Sequence, residues 1–201
     1  MELEFKFLAD GAAFDRVRAH FALGAGNERQ MSARYFDTSD GALEARGAML
    51  RLREEDGVRV ICLKLRGQMR SGAAARPEYE APCASLEAGV GTLLSLGVPE
   101  EIGRVLRGAA LRETARAAFR RTVWRVCTHG AEGELCLDQG SLYAGACEEP
   151  FCEMELEQKG GSEDAFLRWG AELERSLGLT RQEKSKYARL TALRHCAEKE
   201  K

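Results

Sequence analysis

The sequence predicts an α+β fold in which about eight antiparallel strands close into a small β-barrel, with helices around it and one at its C-terminal end. Three observations predict it. Apolar and polar residues alternate with period two in a series of short segments, turns rich in glycine separate those segments, and each segment gathers like charges on one face. The 201 residues suit a single domain spanning 1–201, and 44% hydrophobic with 31% charged residues is ordinary globular composition.

The segment "MELEFKF" opens the chain as a strand, with Leu3, Phe5 and Phe7 on one face and Glu2, Glu4 and Lys6 on the other. "ADGAAFDRVRAHFAL" then reads as a helix capped by Asp10, whose packing face holds Phe14, Val17 and Phe21. Strands around Met49 to Glu54 and Val58 to Arg66 flank "EDG", a hairpin turn in which Gly57 takes positive φ. "QMRSGAAA" reads as a loop, and "RPEYEAP" resumes extended structure with Pro77 near its start, where a missing N–H does least harm. From Ser85 to the neighbourhood of Gly108 the pattern is helical, with a second short helix starting at Pro99. "AFRRTVWRVCT", "GELCLDQGSLYAG" and "FCEMELEQK" follow as an antiparallel meander. A helix runs from the capping Ser162 to Gly178, with Phe166, Trp169, Leu173 and Leu177 on one side. "KYARLTALRHC" is the last helix, striped by Tyr187, Leu190 and Leu193.

Composition removes several classes of function. No apolar run approaches a bilayer span and the N-terminus lacks a signal-peptide layout, so a cytoplasmic protein is expected. Thirty basic against thirty-two acidic residues give a net charge of −2, with no global field for nucleic acid or membrane. Seven scattered cysteines form no Cys-x-x-Cys pair and the three histidines lie far apart, which leaves a zinc site unsupported. Cys62, Cys127, Cys136 and Cys152 fall in strand-like segments, where they read as small hydrophobes.

Parity on the strands carries the functional signal, because side chains two apart share a face and lie roughly 7 Å apart. Arg51 pairs with Arg53, Lys64 with Arg66, Glu78 with Glu80 and Arg121 with Arg125; Glu134 aligns with Asp138, and Glu153, Glu155 and Glu157 form an acidic row. On an open sheet each row is an ordinary solvated face. In a closed sheet with these faces inward, burying so many unpaired charges would cost several kcal/mol per ion, so the interior has to be wet. A basic wall suits a polyanion, since arginine matches phosphate oxygens bidentately. A carboxylate wall suits Mg²⁺, which takes one or two carboxylates plus substrate phosphates.

"MELEFKF", "RYFDTSDGALEARGAMLRLREEDG", "LKLRG", "RPEYE", "LDQGSLYAG", "CEMELE" and "EKSKYARL", in that order, resemble the blocks of the CYTH superfamily, the triphosphate tunnel metalloenzymes. Within it the chain looks most like the bacterial inorganic triphosphatases. The resemblance implies an eight-stranded tunnel, Mg²⁺ or Mn²⁺ in two sites, and a small-molecule triphosphate as substrate. It further implies metal-dependent hydrolysis of inorganic triphosphate (tripolyphosphate) to pyrophosphate and phosphate. Glu2 and Glu4 match metal-binding carboxylates, and Asp138, Glu155 and Glu157 match a second acidic cluster; of these, Glu4, Asp138, Glu155 and Glu157 are the expected catalytic set. Lys6, Arg51, Arg53, Lys64, Arg121 and Lys186 match substrate-binding cations, and Glu78 is placed with them. Arg125 and Glu153 have the right parity and a weaker match. Met1 leaves the first strand almost no lead-in, so Glu2 is expected to be held less firmly than Glu4. Thiamine triphosphatases and class IV-type adenylyl cyclases share the tunnel. A polyphosphate- or nucleotide-binding module would need its basic set alone. No Gly-x-x-x-x-Gly-Lys phosphate loop competes.

Overall fold

A computed structural model of the chain describes residues 2–199, and side chains as far as residue 197. The first half runs β1 (Glu2–Leu8), α1 (Gly11–His20), β2 (Asn27–Asp37), α2 (Ala42–Ala45), β3 (Ala48–Glu55) and β4 (Val58–Leu65). Next come β5 (Gln68–Arg70), β6 (Ala73–Arg76), β7 (Glu78–Pro82), α3 (Leu86–Ser95) and α4 (Glu100–Gly108). Three long strands, β8 (Arg112–Thr128), β9 (Ala131–Ala144) and β10 (Cys147–Gly161), precede α5 (Glu163–Leu177) and α6 (Lys186–Lys199).

All ten strands form one antiparallel sheet in the order β5-β6-β1-β10-β9-β8-β2-β3-β4-β7. Its closure can be read from that order. β6 pairs with β1 and β7 pairs with β4, near opposite ends of the sheet, yet only Pro77 separates the two strands. A single extended run therefore stitches the edges together. Proline sits at the crossover, where the chain changes partner and no ladder N–H is required. Counting β6 and β7 as one run and setting aside the three-residue β5 recovers the expected eight.

Two segments differ from the sequence reading. The stretch read as a loop around Met69 to Ala75 is the β5–β6 hairpin, turned at Ser71 and Gly72, both with positive φ. Short alanine-rich strands carry too little periodicity to announce themselves. β2 is a long central strand between β3 and β8 that was not singled out, although Met31, Ala33 and Tyr35 alternate with polar residues. The other local expectations hold. Asp10 Oδ1 accepts from Ala13 N at 2.7 Å, Ser162 Oγ accepts from Ala165 N at 3.4 Å, and Gly178 closes α5 at φ +57°. Asp56 and Gly57 both have positive φ, as the tightest hairpin turns require.

Two apolar cores lie outside the barrel and one within it. On one flank, α1 and α5 cover Phe5, Phe7 and Leu156, and Gly170 lets α5 approach so closely that a Cβ there would stand 2.1 Å from the Phe5 ring. On another, the α2, α3 and α4 region packs Leu43, Leu93 and Ile102 against Leu50, Leu52, Ile61 and Leu63. The third core joins Leu190 of α6 to Met31, Ala33, Tyr35 and Met49, residues on the inner face of β2 and β3. Thus α6 plugs one end of the barrel, and its Tyr187 stacks on Tyr35 with ring centroids 5.7 Å apart. Among the described residues no helix is long and apolar enough to cross a membrane.

Candidate functional site

The charged strand faces turn inward around a cavity of about 390 Å³. Glu2, Glu4 and Lys6 reach it from β1, Arg51 and Arg53 from β3, Lys64 from β4 and Glu78 from β7. Arg121 of β8, Glu155 and Glu157 of β10 and Lys186 of α6 complete the wall. Asp138 of β9 is fully buried behind Arg121. Every residue expected at the site is therefore brought together. Parity overreaches at the strand ends, where Arg66 and Arg125 are exposed and Glu134 leans on Lys159 at 3.5 Å. Two of the strand cysteines, Cys62 and Cys136, are buried, whereas Cys127 near the end of β8 is exposed and has no apolar role.

The β8–β9–β10 side is a closed lattice of opposite charges. Arg121 donates to both Asp138 oxygens at 2.7 Å and to Glu155 at 2.5 Å. Lys186 Nζ donates to Asp138 at 2.6 Å, to Glu155 at 3.1 Å and to Glu153, while Lys6 donates to Glu4 at 3.1 Å and to Glu155. Burial alone would pull both lysines down, but Glu155 leads the nearby carboxylates that hold them above the ordinary lysine value. Burial likewise works against Glu155, and Lys186, Lys6 and Arg121 still keep its carboxyl well below the usual range. Glu153, a weaker candidate by sequence, is 0% exposed here; burial and the charge of Glu155 push it up despite Lys186. Arg189 of α6, which sequence reasoning missed, donates to Glu153 at 3.2 Å and to Glu149 at 2.6 Å.

The β1–β3–β4–β7 side is looser. Glu2, expected to be weakly held, takes donors from both Lys64 and Arg76, the latter at 3.1 Å. Arg76 also bonds Glu4, and it too was missed. The signal was present, since positions 76, 78 and 80 share a parity across Pro77. Glu78 stands 3.3 Å from Lys64 and accepts from the Cys62 thiol at 2.9 Å. Arg53 reaches Glu80 at 3.4 Å, and Arg51 comes only within 3.9 Å of it. The Nε atoms of both arginines are buried with no hydrogen-bond partner. Unpartnered buried guanidinium donors are costly unless an acceptor meets them.

The acidic residues suit a hard divalent cation. Asp138, Glu153 and Glu155 can bring one oxygen each within 4.8 Å of one another. Glu157 is raised by burial and then by the charges of Glu2 and Glu4, against the pull of Lys159, so its carboxylate shares a field with theirs. A third grouping, Cys62 with Glu78 and Glu80, meets the same distance, but Arg51 and Lys64 stand beside it.

A curled antiparallel sheet enclosing opposed acidic and basic walls defines a class of tunnel proteins, and the family can be stated. Residues 1–191 match the model of the CYTH domain, and the chain belongs to that family. It is similar to the inorganic triphosphatase of Haemophilus influenzae, 34% identical over 133 residues, which is 66% of this chain and 37% of that protein. The chain thus matches well under half the length of that relative. Among solved structures, HpAC1 from Hippeastrum, a candidate adenylyl cyclase with a dominant triphosphatase activity, superposes with a TM-score of 0.71 at 20% identity, covering 96% of both chains. The PH1819 protein of Pyrococcus horikoshii gives 0.65 at 17% identity over 96% of this chain and 99% of its own. These likenesses show the fold.

Proposed function

We propose that this protein hydrolyses a phosphoanhydride bond of inorganic triphosphate, releasing pyrophosphate and phosphate, with Mg²⁺ or Mn²⁺ as cofactor. The observation that carries the reading is that Arg51 and Arg53 line the cavity with buried Nε donors lacking a partner, whereas the other cations lining it are already paired with carboxylates. A triphosphate supplies the acceptors those donors lack. Arg51, Arg53, Lys64 and Arg76 would grip it on one wall, and Lys6, Arg121 and Lys186 on the other, holding the phosphorus chain in line for attack by water.

Glu2, Glu4 and Glu157, with Asp138, Glu153 and Glu155, are the carboxylates that would hold divalent cations. A bound cation would offset charge on the phosphate oxygens and lower the pKa of a water. Lys186 would then give up part of its hold on Asp138 and Glu155, leaving its ammonium free to face phosphate. No side-chain nucleophile is needed. Burial pushes the thiols of Cys62 and Cys136 up to about 12, which leaves them protonated and unreactive at neutral pH.

Phosphate release from tripolyphosphate, thiamine triphosphate and ATP, each with and without Mg²⁺ or Mn²⁺, tests the reading. Metal-dependent release from tripolyphosphate is expected. Tight binding with no turnover under either metal would instead make the chain a polyphosphate-binding module, and pyrophosphate release from ATP would make it a cyclase.

A further inference from the structure

Of the eight lysines and arginines that line the tunnel among the described residues, Lys159 is the one given no phosphate to hold. Its side chain is 41% exposed, against 19% or less for each of the others. A β-bulge puts it there. β10 pairs Glu157 with Glu134 and Gln158 with Gly133 of β9, then passes to Gly160 with Glu132, so Lys159 is the extra residue. Such a residue bends its strand and re-aims side chains. Gln158 and Lys159, neighbours that a regular strand would send to opposite faces, accordingly both line the cavity.

The partners of Lys159 are two carboxylates in different positions. Its Nζ stands 2.7 Å from Glu157 and 3.5 Å from Glu134. Glu157 lies directly across from Glu4 in the β1–β10 ladder, and Lys159 is the only cation among the described residues paired with it. Glu134 is set back from the cavity lining. Lys6 and Lys64, by contrast, each join two carboxylates that both line the tunnel, Glu4 with Glu155 and Glu2 with Glu78.

An ammonium and a divalent cation cannot share the same carboxylate oxygens, and at that distance the two positive charges repel. A pair as exposed as Lys159 with Glu157 is worth little in water, so the ammonium is readily moved, and its flexible four-carbon stem lets it turn to the second carboxylate. We propose that Lys159 is a built-in counter-ion for Glu157: it neutralises that carboxylate in the metal-free protein and transfers to Glu134 when Glu157 takes a divalent cation. The inference rests on the reading of Glu157 as a metal ligand. Metal uptake is then an exchange of one cation for another, and Lys159 keeps the affinity of the site below what its carboxylates alone would give.

Binding of Mn²⁺ alone to the phosphate-free protein tests this, followed through the electron paramagnetic resonance signal of free Mn²⁺, so that turnover does not enter. Glu157→Gln marks the site by the binding it removes. Lys159→Gln is expected to lower the Kd of that site about three- to tenfold. Glu134→Gln should raise it about threefold or more while Lys159 is present, because the displaced ammonium has lost its second partner, and by clearly less in the Lys159→Gln background. A Kd that Lys159→Gln leaves unchanged or raises overturns the counter-ion role, and equal effects of Glu134→Gln in the two backgrounds overturn the transfer. In both cases a site lost in Glu157→Gln leaves the metal assignment standing. If the native protein binds no Mn²⁺, or Glu157→Gln binds it unchanged, the metal assignment of Glu157 fails and the proposal goes with it.

Discussion

The two walls of the tunnel carry similar residues and behave differently. Around Asp138 each ammonium and guanidinium is within hydrogen-bonding reach of a carboxylate, and the contacts are at or below 3.1 Å. Around Arg51 and Arg53 the ion pairs stretch to between 3.4 and 3.9 Å and two donors have no partner. The first wall is a satisfied lattice. The second is held open, and that is where an incoming anion has something to gain. Charge count alone does not separate them; satisfaction does.

The largest test of that division is Asp138→Asn. Removing one partner from a buried pair costs about 3–5 kcal/mol, and urea denaturation should show a loss of that order, since Arg121 and Lys186 both converge on this carboxylate. Glu4→Gln should act on chemistry. If Glu4 holds a cation worth several kcal/mol to the transition state, metal-dependent turnover should drop by on the order of a hundredfold or more. Undiminished phosphate release from that variant would remove Glu4 from the metal assignment. Arg53→Ala belongs to the open wall and should do the reverse of Asp138→Asn, with little change in denaturation midpoint. Losing a charge-assisted contact of about 1.5–3 kcal/mol should raise the KM for tripolyphosphate by roughly ten- to a hundredfold. An Arg53→Ala protein that unfolds early, beside a stable Asp138→Asn protein, would invert the comparison.

The satisfied wall was only partly legible in the sequence. Parity placed Glu155, Arg121 and Asp138 on one inner surface because β8, β9 and β10 are long and regular. It put Glu153 in the same row, where the family match is weaker, but it did not reveal that Arg189 supports Glu153, because α6 docks by tertiary packing and a lone helix carries no statement of what its arginines meet. On the open wall, Arg76 was hidden by Pro77, which breaks a strand in the eye of a sequence reader while the chain runs straight through it. The β5–β6 hairpin escaped for a related reason: alanine and glycine contribute neither alternation nor charge.

The smallest expected effect concerns pH and belongs to the closed wall. Lys6 and Lys186 are raised, so the stability they contribute is complete below the ordinary lysine value of about 10.4 and is lost only as pH climbs through their higher folded values. Glu155 is depressed, so its contribution is present above the ordinary glutamate value of about 4.3 and disappears as pH falls through its lower folded value. Glu153 has the opposite sign: being raised, it takes stability away as pH rises from the ordinary glutamate value to its own folded value. Between pH 5 and 7 the Glu155 contribution is already complete, so the pH dependence of the metal-free protein there comes from Glu153, and stability falls as pH rises. Lys186→Met steepens that dependence. With the first of the charges that depress Glu155 gone, and the ammonium that restrains Glu153 gone with it, both carboxyls move upward. The variant should therefore gain stability as pH is lowered from 7 to 5, measured as the urea midpoint without metal. A variant that instead loses stability over that range would show that Lys186 is not what keeps the closed wall ionised.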